Sequence, residues 1–247
     1  MRTTERGELY ARLAARYLDA QLRGDRREAL RLVDEEGLNA GLSVGELHMH
    51  VITPAQHELG RLWQTNRIHV AQEHAATAIS QLVVSHLYRH LPIAPPNGRT
   101  VIVACVPGER HELGARVASD LLEAAGFRVR YLGADVPAGD LVSEARRSQA
   151  DLVVLSAATG LSRPGTVEAV TALRAALGDA FPVFVGGGAY PDADESPADC
   201  RLPEGVLKAG RTAPELVTLA ARTLGVGVPE ELSALGARRD AGVEVGS

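Results

Sequence analysis

TVIVACVPGERHELGARVASDLLEAAG, residues 100–126, falls into three parts. TVIVAC is a short apolar run rich in β-branched residues, as a strand buried on both faces requires. VPGER carries the turn residues Pro107 and Gly108, and HELGARVASDLLEAAG is an amphipathic helix closed by Gly126. The same alternation then recurs. FRVRYLG, DLVVLS and PVFVGGG predict further strands and GVLKAG a shorter one, with helices over 138–147, 165–177 and 213–224. Strands alternating with helices make a right-handed parallel sheet covered on both faces. Residues 100–225 are therefore expected to form a flavodoxin-like (Rossmann-type) five-stranded α/β domain. The last stretch, 226–247, is expected to be a weakly ordered tail.

Upstream the period changes from two to three and four. Leu9, Leu13 and Tyr17 make one stripe, Leu30 and Val33 a second, and Leu47, Val51 and Ile52 a third. A fourth helix is expected from about Val70, with Ile79, Leu82, Val83 and Leu87 facing inward. Gly24-Asp25, Gly37 to Gly41 and Gly60 to Arg67 punctuate these helices. Residues 1–91 thus predict an antiparallel four-helix bundle, and the proline-rich stretch 92–99 a linker.

The 247 residues suit two domains better than one, and 45% hydrophobic with 23% charged residues is an ordinary globular balance. No run of eighteen apolar residues exists, so no membrane span is expected. The charged N-terminus lacks a secretion signal, which points to the cytoplasm. Cys105 and Cys200 are far apart in sequence and have no CxxC partner, so neither a disulfide scaffold nor a thiolate zinc site is expected. With a net charge of −5 and scattered basic residues, direct binding to nucleic acid is not expected either. His48 and His50 are two apart on a helix and point to different faces, so with His57 they do not suggest a shared metal ion.

Ligands of open parallel sheets bind beyond the carboxyl ends of the strands. After the first strand comes Val106-Pro107-Gly108-Glu109-Arg110-His111-Glu112-Leu113-Gly114; after the third, Ser156 to Gly160; after the fourth, Gly186-Gly187-Gly188. The first loop lacks the GxGxxG of a dinucleotide site and the GKS/GKT of a P-loop. A phospho-receiver would need acidic residues where Cys105 and Ser156 stand. There remains a loop histidine two residues after a carboxylate, with Gly114 opening the next helix.

Glu109-x-His111-x-x-Gly114 resembles the DxHxxG signature of cobalamin-binding domains, in its ExHxxG form. The second signature of that family, SxL, falls at Ser156-Ala157-Ala158, where Ala158 departs from the usual leucine. The third, GG, falls at Gly186-Gly187. The resemblance spans about 99–224. It implies that His111 takes the lower axial position on cobalt, vacated by the cofactor's own nucleotide base. Arg110, Leu113, Gly114, Ser156, Thr159, the Gly186 to Gly188 turn, Gly210 and Arg211 would then line the slot for the displaced tail. A neutral imidazole is the competent ligand, and Glu109, by accepting from the other ring nitrogen, would set the tautomer.

Ahead of the linker, Trp63, Val70, Glu73 and His74 are similar to the W-x9-EH motif of CarH-type adenosylcobalamin photoreceptors. The likeness implies a helical bundle capping the upper axial ligand. An aromatic plane suits a nucleoside, and a carboxylate suits its ribose hydroxyls. It implies adenosylcobalamin as cofactor, with methylcobalamin or hydroxocobalamin as other forms. It further implies a light-dependent regulatory module, not an enzyme, that is a homo-oligomer (a dimer or larger) and acts through a protein partner such as a transcription regulator. Gln64 stands where that family has its light-state histidine, which leaves His69 or another residue for that role. The alternative is a corrinoid protein that carries a methyl group between methyltransferases.

Overall fold

The computed structural model describes residues 3–190, 202–204, 206–210 and 212–237. The chain divides into two compact units, 1–91 and 92–247.

The first unit is four helical rods. Helix α1 (Thr3–Leu22) is followed by a turn at Arg23-Gly24, and the Asp25 side chain accepts from the Glu28 N–H at 3.0 Å to start α2 (Arg26–Arg31). That helix widens into a π-helical stretch, Leu32–Gly37, and tightens into a final 3-10 turn, Leu38–Ala40. A capping box between Ser43 and Glu46 starts the third rod. It comprises α3 (Val44–Leu47), a second π stretch (His48–Ile52) and α4 (Thr53–Gln64). The fourth rod is α5 (Val70–Leu87), extended by a turn at Tyr88–His90.

Leu13, Tyr17, Leu32, Val33, Leu47, Ile52, Leu59, Val83 and Leu87 fill the interior. Within it Ser80 Oγ gathers the Tyr17 hydroxyl (3.0 Å), Gln21 Nε2 (3.0 Å) and Gln56 Nε2 (2.5 Å), so three rods share one buried hydrogen-bond cluster. Two expectations are corrected here. Leu82 is exposed and Val84 is buried, because the inward stripe runs 76, 79, 80, 83, 84 and 87, and Leu82 lies one step outside it. Gly60 lies inside α4, and the break falls instead at 65–69; a lone glycine weakens a helix without ending it.

In the second unit, strands β1 (Thr100–Cys105), β2 (Arg128–Gly133), β3 (Leu152–Ser156), β4 (Val183–Gly186) and β5 (Leu207–Lys208) form one parallel sheet. Their order is β2-β1-β3-β4-β5, the flavodoxin-like order expected. Ile102 and Ala104, Val153 and Leu155, and Val183 and Val185 share one apolar cluster with Leu141, Val170 and Leu173. Those last three belong to α7 (Ala138–Ser148) and α8 (Arg163–Leu177), which cover that face. Helices α6 (Leu113–Ala124) and α9 (Ala213–Leu224) pack together on the other. The linker is held to the end of α6 by Ala94 N–H to the Ala124 carbonyl (3.0 Å) and Asn97 N–H to the Gly126 carbonyl (2.9 Å). The stretch expected to be a weakly ordered tail contains a further helix, α10 (Glu230–Ala237), packed on α9 with Leu232 buried. Its acidic first turn suits a helix start. The rest of that stretch, 238–247, and Arg211 lie outside the described residues.

Candidate cobalamin site

Register brings the three strand ends into one row. Cys105 pairs with Ser156, and Ser156 with Gly186, so the loops after β1, β3 and β4 leave the sheet side by side.

Glu109 is the hub of this edge. It is 1% exposed, and its carboxylate is surrounded by donors. Oε1 accepts from the His111 backbone N–H (2.8 Å) and from His111 Nδ1 (2.6 Å). Oε2 accepts from Ala158 N–H (2.7 Å), Thr159 N–H (3.2 Å) and the Ser162 hydroxyl (2.8 Å). Burial alone would raise its pKa, but the bonds from His111, Ser162 and Ala158 outweigh burial and hold it down at about 2. An ionised carboxylate only accepts, so His111 carries a proton on Nδ1, and the neutral form of the ring presents its lone pair at Nε2. The ring is 65% exposed. One ring nitrogen is thus anchored and the other is open, as a histidine that would hold a metal needs.

The neighbouring positions are shaped by close backbone approaches. Gly187 has φ +104, and a Cβ there would lie 2.3 Å from the Ala157 carbonyl oxygen; at Gly188 it would lie 2.8 Å from that of Ala158. A Cβ at Gly114 would meet nothing within 4 Å, so open space borders the start of α6. Arg110 is exposed, and Leu113, Ser156, Thr159 and Gly210 are half-buried along this edge or just past β5. The residues present fit a corrinoid that His111 would hold through Nε2.

Three contributors were not foreseen from sequence. Ser162 ties the loop after β3 to Glu109. Asp135, at φ +51, accepts from Gly108 N–H through Oδ1 (2.7 Å) and donates its own N–H to the Glu109 carbonyl (2.8 Å). Gly165 lets α8 approach the ligand loop, since a Cβ there would lie 2.0 Å from the Pro107 carbonyl oxygen. The Ser-Arg-Pro start of α8 was a visible helix signal, but nothing in it says where the serine hydroxyl points.

Residues 99–207 match the family model described as B12 binding domain, and residues 13–88 match a second model with the same description. The chain is a B12-binding-domain protein. This B12-binding-domain protein is 37% identical over 140 residues to the HTH-type transcriptional repressor CarH of Myxococcus xanthus, a match covering 56% of this chain and 46% of the repressor. It is 28% identical over 170 residues to dimethylamine corrinoid protein 3 of Methanosarcina acetivorans, covering 67% of this chain and 75% of that protein. Among solved structures, that of the Methanosarcina barkeri monomethylamine corrinoid protein shares the fold, with a TM-score of 0.72 at 20% identity over 86% of this chain and 98% of the other. Cobalamin is thus the cofactor that both the matched domains and the site chemistry call for.

Trp63, Val70, Glu73 and His74 belong to the helical unit. Trp63 lies in the last turn of α4 and the other three in the first turns of α5, either side of the break at 65–69. Trp63 is 45% and Val70 50% exposed, so two large apolar side chains stand at the surface on either side of that break. Glu73 is held between His74 Nδ1 (2.6 Å) and the Thr77 hydroxyl (2.8 Å). His69 caps α5, its Nδ1 accepting from Gln72 N–H at 3.4 Å. His50 stacks on Tyr10, and His48 is fully buried with neither ring nitrogen paired. Burial pushes His48 down to about 4, so it is neutral near pH 7. No described helix is long and apolar enough to cross a membrane.

Proposed function

We propose that this protein is a non-enzymatic, adenosylcobalamin-dependent light sensor that signals through a protein partner or a change of oligomer. The observation that carries this reading is the pairing of two features in one chain. One is the Glu109-anchored His111; the other is the exposed Trp63 and Val70 beside a preset Glu73–His74 pair. In this reading Trp63 and Val70 shelter the adenosyl group and Glu73 accepts its ribose hydroxyls. Bound adenosylcobalamin supplies a cobalt–carbon bond that light can break, and the protein supplies confinement and a response to the loss of the group. Similarity to the CarH repressor supports this role; that protein's own activity and partners come to this chain only as part of the proposal, since the chain spans 46% of it.

The similarity to dimethylamine corrinoid protein 3, which reaches 75% of that relative, favours a second reading as a methyl carrier loaded with methylcobalamin. The test is the absorption spectrum of protein reconstituted with adenosylcobalamin, in darkness and under green light, beside His111→Ala. The sensor reading expects a light-driven spectral change in the wild type and a different dark spectrum with weaker binding in the variant. A wild-type spectrum that stays constant under strong green light rejects light sensing. Methyl exchange between the loaded protein and a corrinoid methyltransferase would establish the carrier role.

A further inference from the structure

Among the described residues, one group of three metal-competent side chains stands apart from the cobalamin residues: Asp34, His86 and His90. Asp34 lies in the π stretch that continues α2; His86 is in the last turn of α5 and His90 ends the turn after it. Asp34 Oδ1 is 2.7 Å from His86 Nε2. Histidines four apart on a helix share a face, and the two rings are 5.7 Å apart between centroids. One ligand atom from each of the three residues lies within 4.8 Å of the others. The His86 side chain is 17% and that of Asp34 39% exposed, while His90 is at the surface.

We propose that Asp34, His86 and His90 form a binding site for a divalent ion of the zinc class. Two imidazole nitrogens and one carboxylate oxygen suit Zn2+, Ni2+ or Co2+, whereas Mg2+ and Ca2+ seek oxygen donors. Bonds of about 2.0–2.1 Å bring tetrahedral ligands to roughly 3.3 Å from one another. Ligation would therefore widen the 2.7 Å separation of Asp34 and His86 and draw the exposed His90 ring inward.

Arg89 sets the ion-free state. Its guanidinium donates to His86 Nδ1 and to the His86 carbonyl, so the His86 proton sits on Nε2 and is donated to Asp34. An ion on Nε2 needs that proton on Nδ1 instead, which displaces Arg89. Arg89 therefore competes with the metal through both the tautomer and its positive charge. Because His90 is the penultimate residue of the helical unit, a bound ion would clamp the chain's exit from that unit to the α2 rod.

The plain alternative is that Asp34 and His86 form only an inter-rod hydrogen bond, with His90 a bystander. Calorimetric titration of the chelator-treated, cobalamin-loaded full chain with Zn2+ separates the two. The site predicts one saturable equivalent, weakened at least roughly tenfold by His90→Ala or Asp34→Asn and tightened severalfold by Arg89→Ala. His90→Ala alters a surface residue, so its result does not hinge on folding. Absence of saturable binding in the wild type overturns the proposal, as does binding that His90→Ala and Asp34→Asn leave unchanged.

Discussion

Glu109→Ala is expected to destabilise the sheet unit by about 3–5 kcal/mol and to abolish tight cobalamin binding. The substitution strips a partner from the backbone N–H groups of His111, Ala158 and Thr159 and from the Ser162 hydroxyl, all at a residue 1% exposed. It also frees the His111 ring to change tautomer and orientation, which removes the preset Nε2 lone pair. Glu109 makes a pH-dependent contribution as well. Its folded pKa of about 2 lies below the ordinary 4.5, so the folded state binds the proton less readily than the unfolded chain. The stabilisation is thus complete above about pH 4.5 and is lost as pH falls through 2. Urea melts of wild type and variant at pH 7 and pH 3 check this: the gap between them should be widest at pH 7 and shrink at pH 3. A gap that does not change with pH would contradict the assignment of the ionised hub.

Gly187→Ala is expected to cost about 2–6 kcal/mol and to empty the site of cobalamin, measured by thermal melting and by retention of the cofactor through gel filtration. Two penalties add. An alanine must hold φ +104, and its Cβ would lie 2.3 Å from the Ala157 carbonyl oxygen, which is backbone and cannot step aside. The displaced segment would be the Ala157–Thr159 loop, whose N–H groups hold Glu109. Against a typical total of about 5–15 kcal/mol, such a loss can unfold the unit outright. Gly114→Ala makes the informative contrast. Its Cβ meets nothing within 4 Å, so it should leave the melting temperature near that of wild type while weakening cobalamin retention. A Gly187→Ala protein that melts and binds like wild type would remove the close approach from the account.

The sheet was legible because each strand is a compact apolar run between turn residues, and because a parallel sheet buries its strands on both faces. TVIVAC, DLVVLS and PVFVGGG each contain a strand found in the structure, and 213–224 is a helix to the residue. The helical unit was legible in its four rods and less so in its details. Nothing in the local pattern announces the two π stretches, Leu32–Gly37 and His48–Ile52. Leu82 misled because three-and-four spacing does not say where the edge of an apolar face falls. At the site, Glu109, His111 and Gly187 could be singled out through the resemblance to the ExHxxG and GG signatures of cobalamin-binding domains. Ser162 and Asp135 could not, since they reach Glu109 and Gly108 across loops from other strands, and it is the register of β1 with β3 and with β2 that places them there.

The central claim, that His111 Nε2 is the lower ligand of cobalt, is open to one direct measurement. Protein grown with nitrogen-15 histidine and loaded with cobalamin in the cobalt(II) state should be examined by electron paramagnetic resonance. The axial nitrogen splits the cobalt lines into triplets when it is nitrogen-14 and into doublets when it is nitrogen-15. Histidine ligation predicts that labelling converts triplets to doublets, and that the doublets vanish in labelled His111→Ala. Triplets that survive in the labelled wild type would mean that the cofactor's own base still holds the metal.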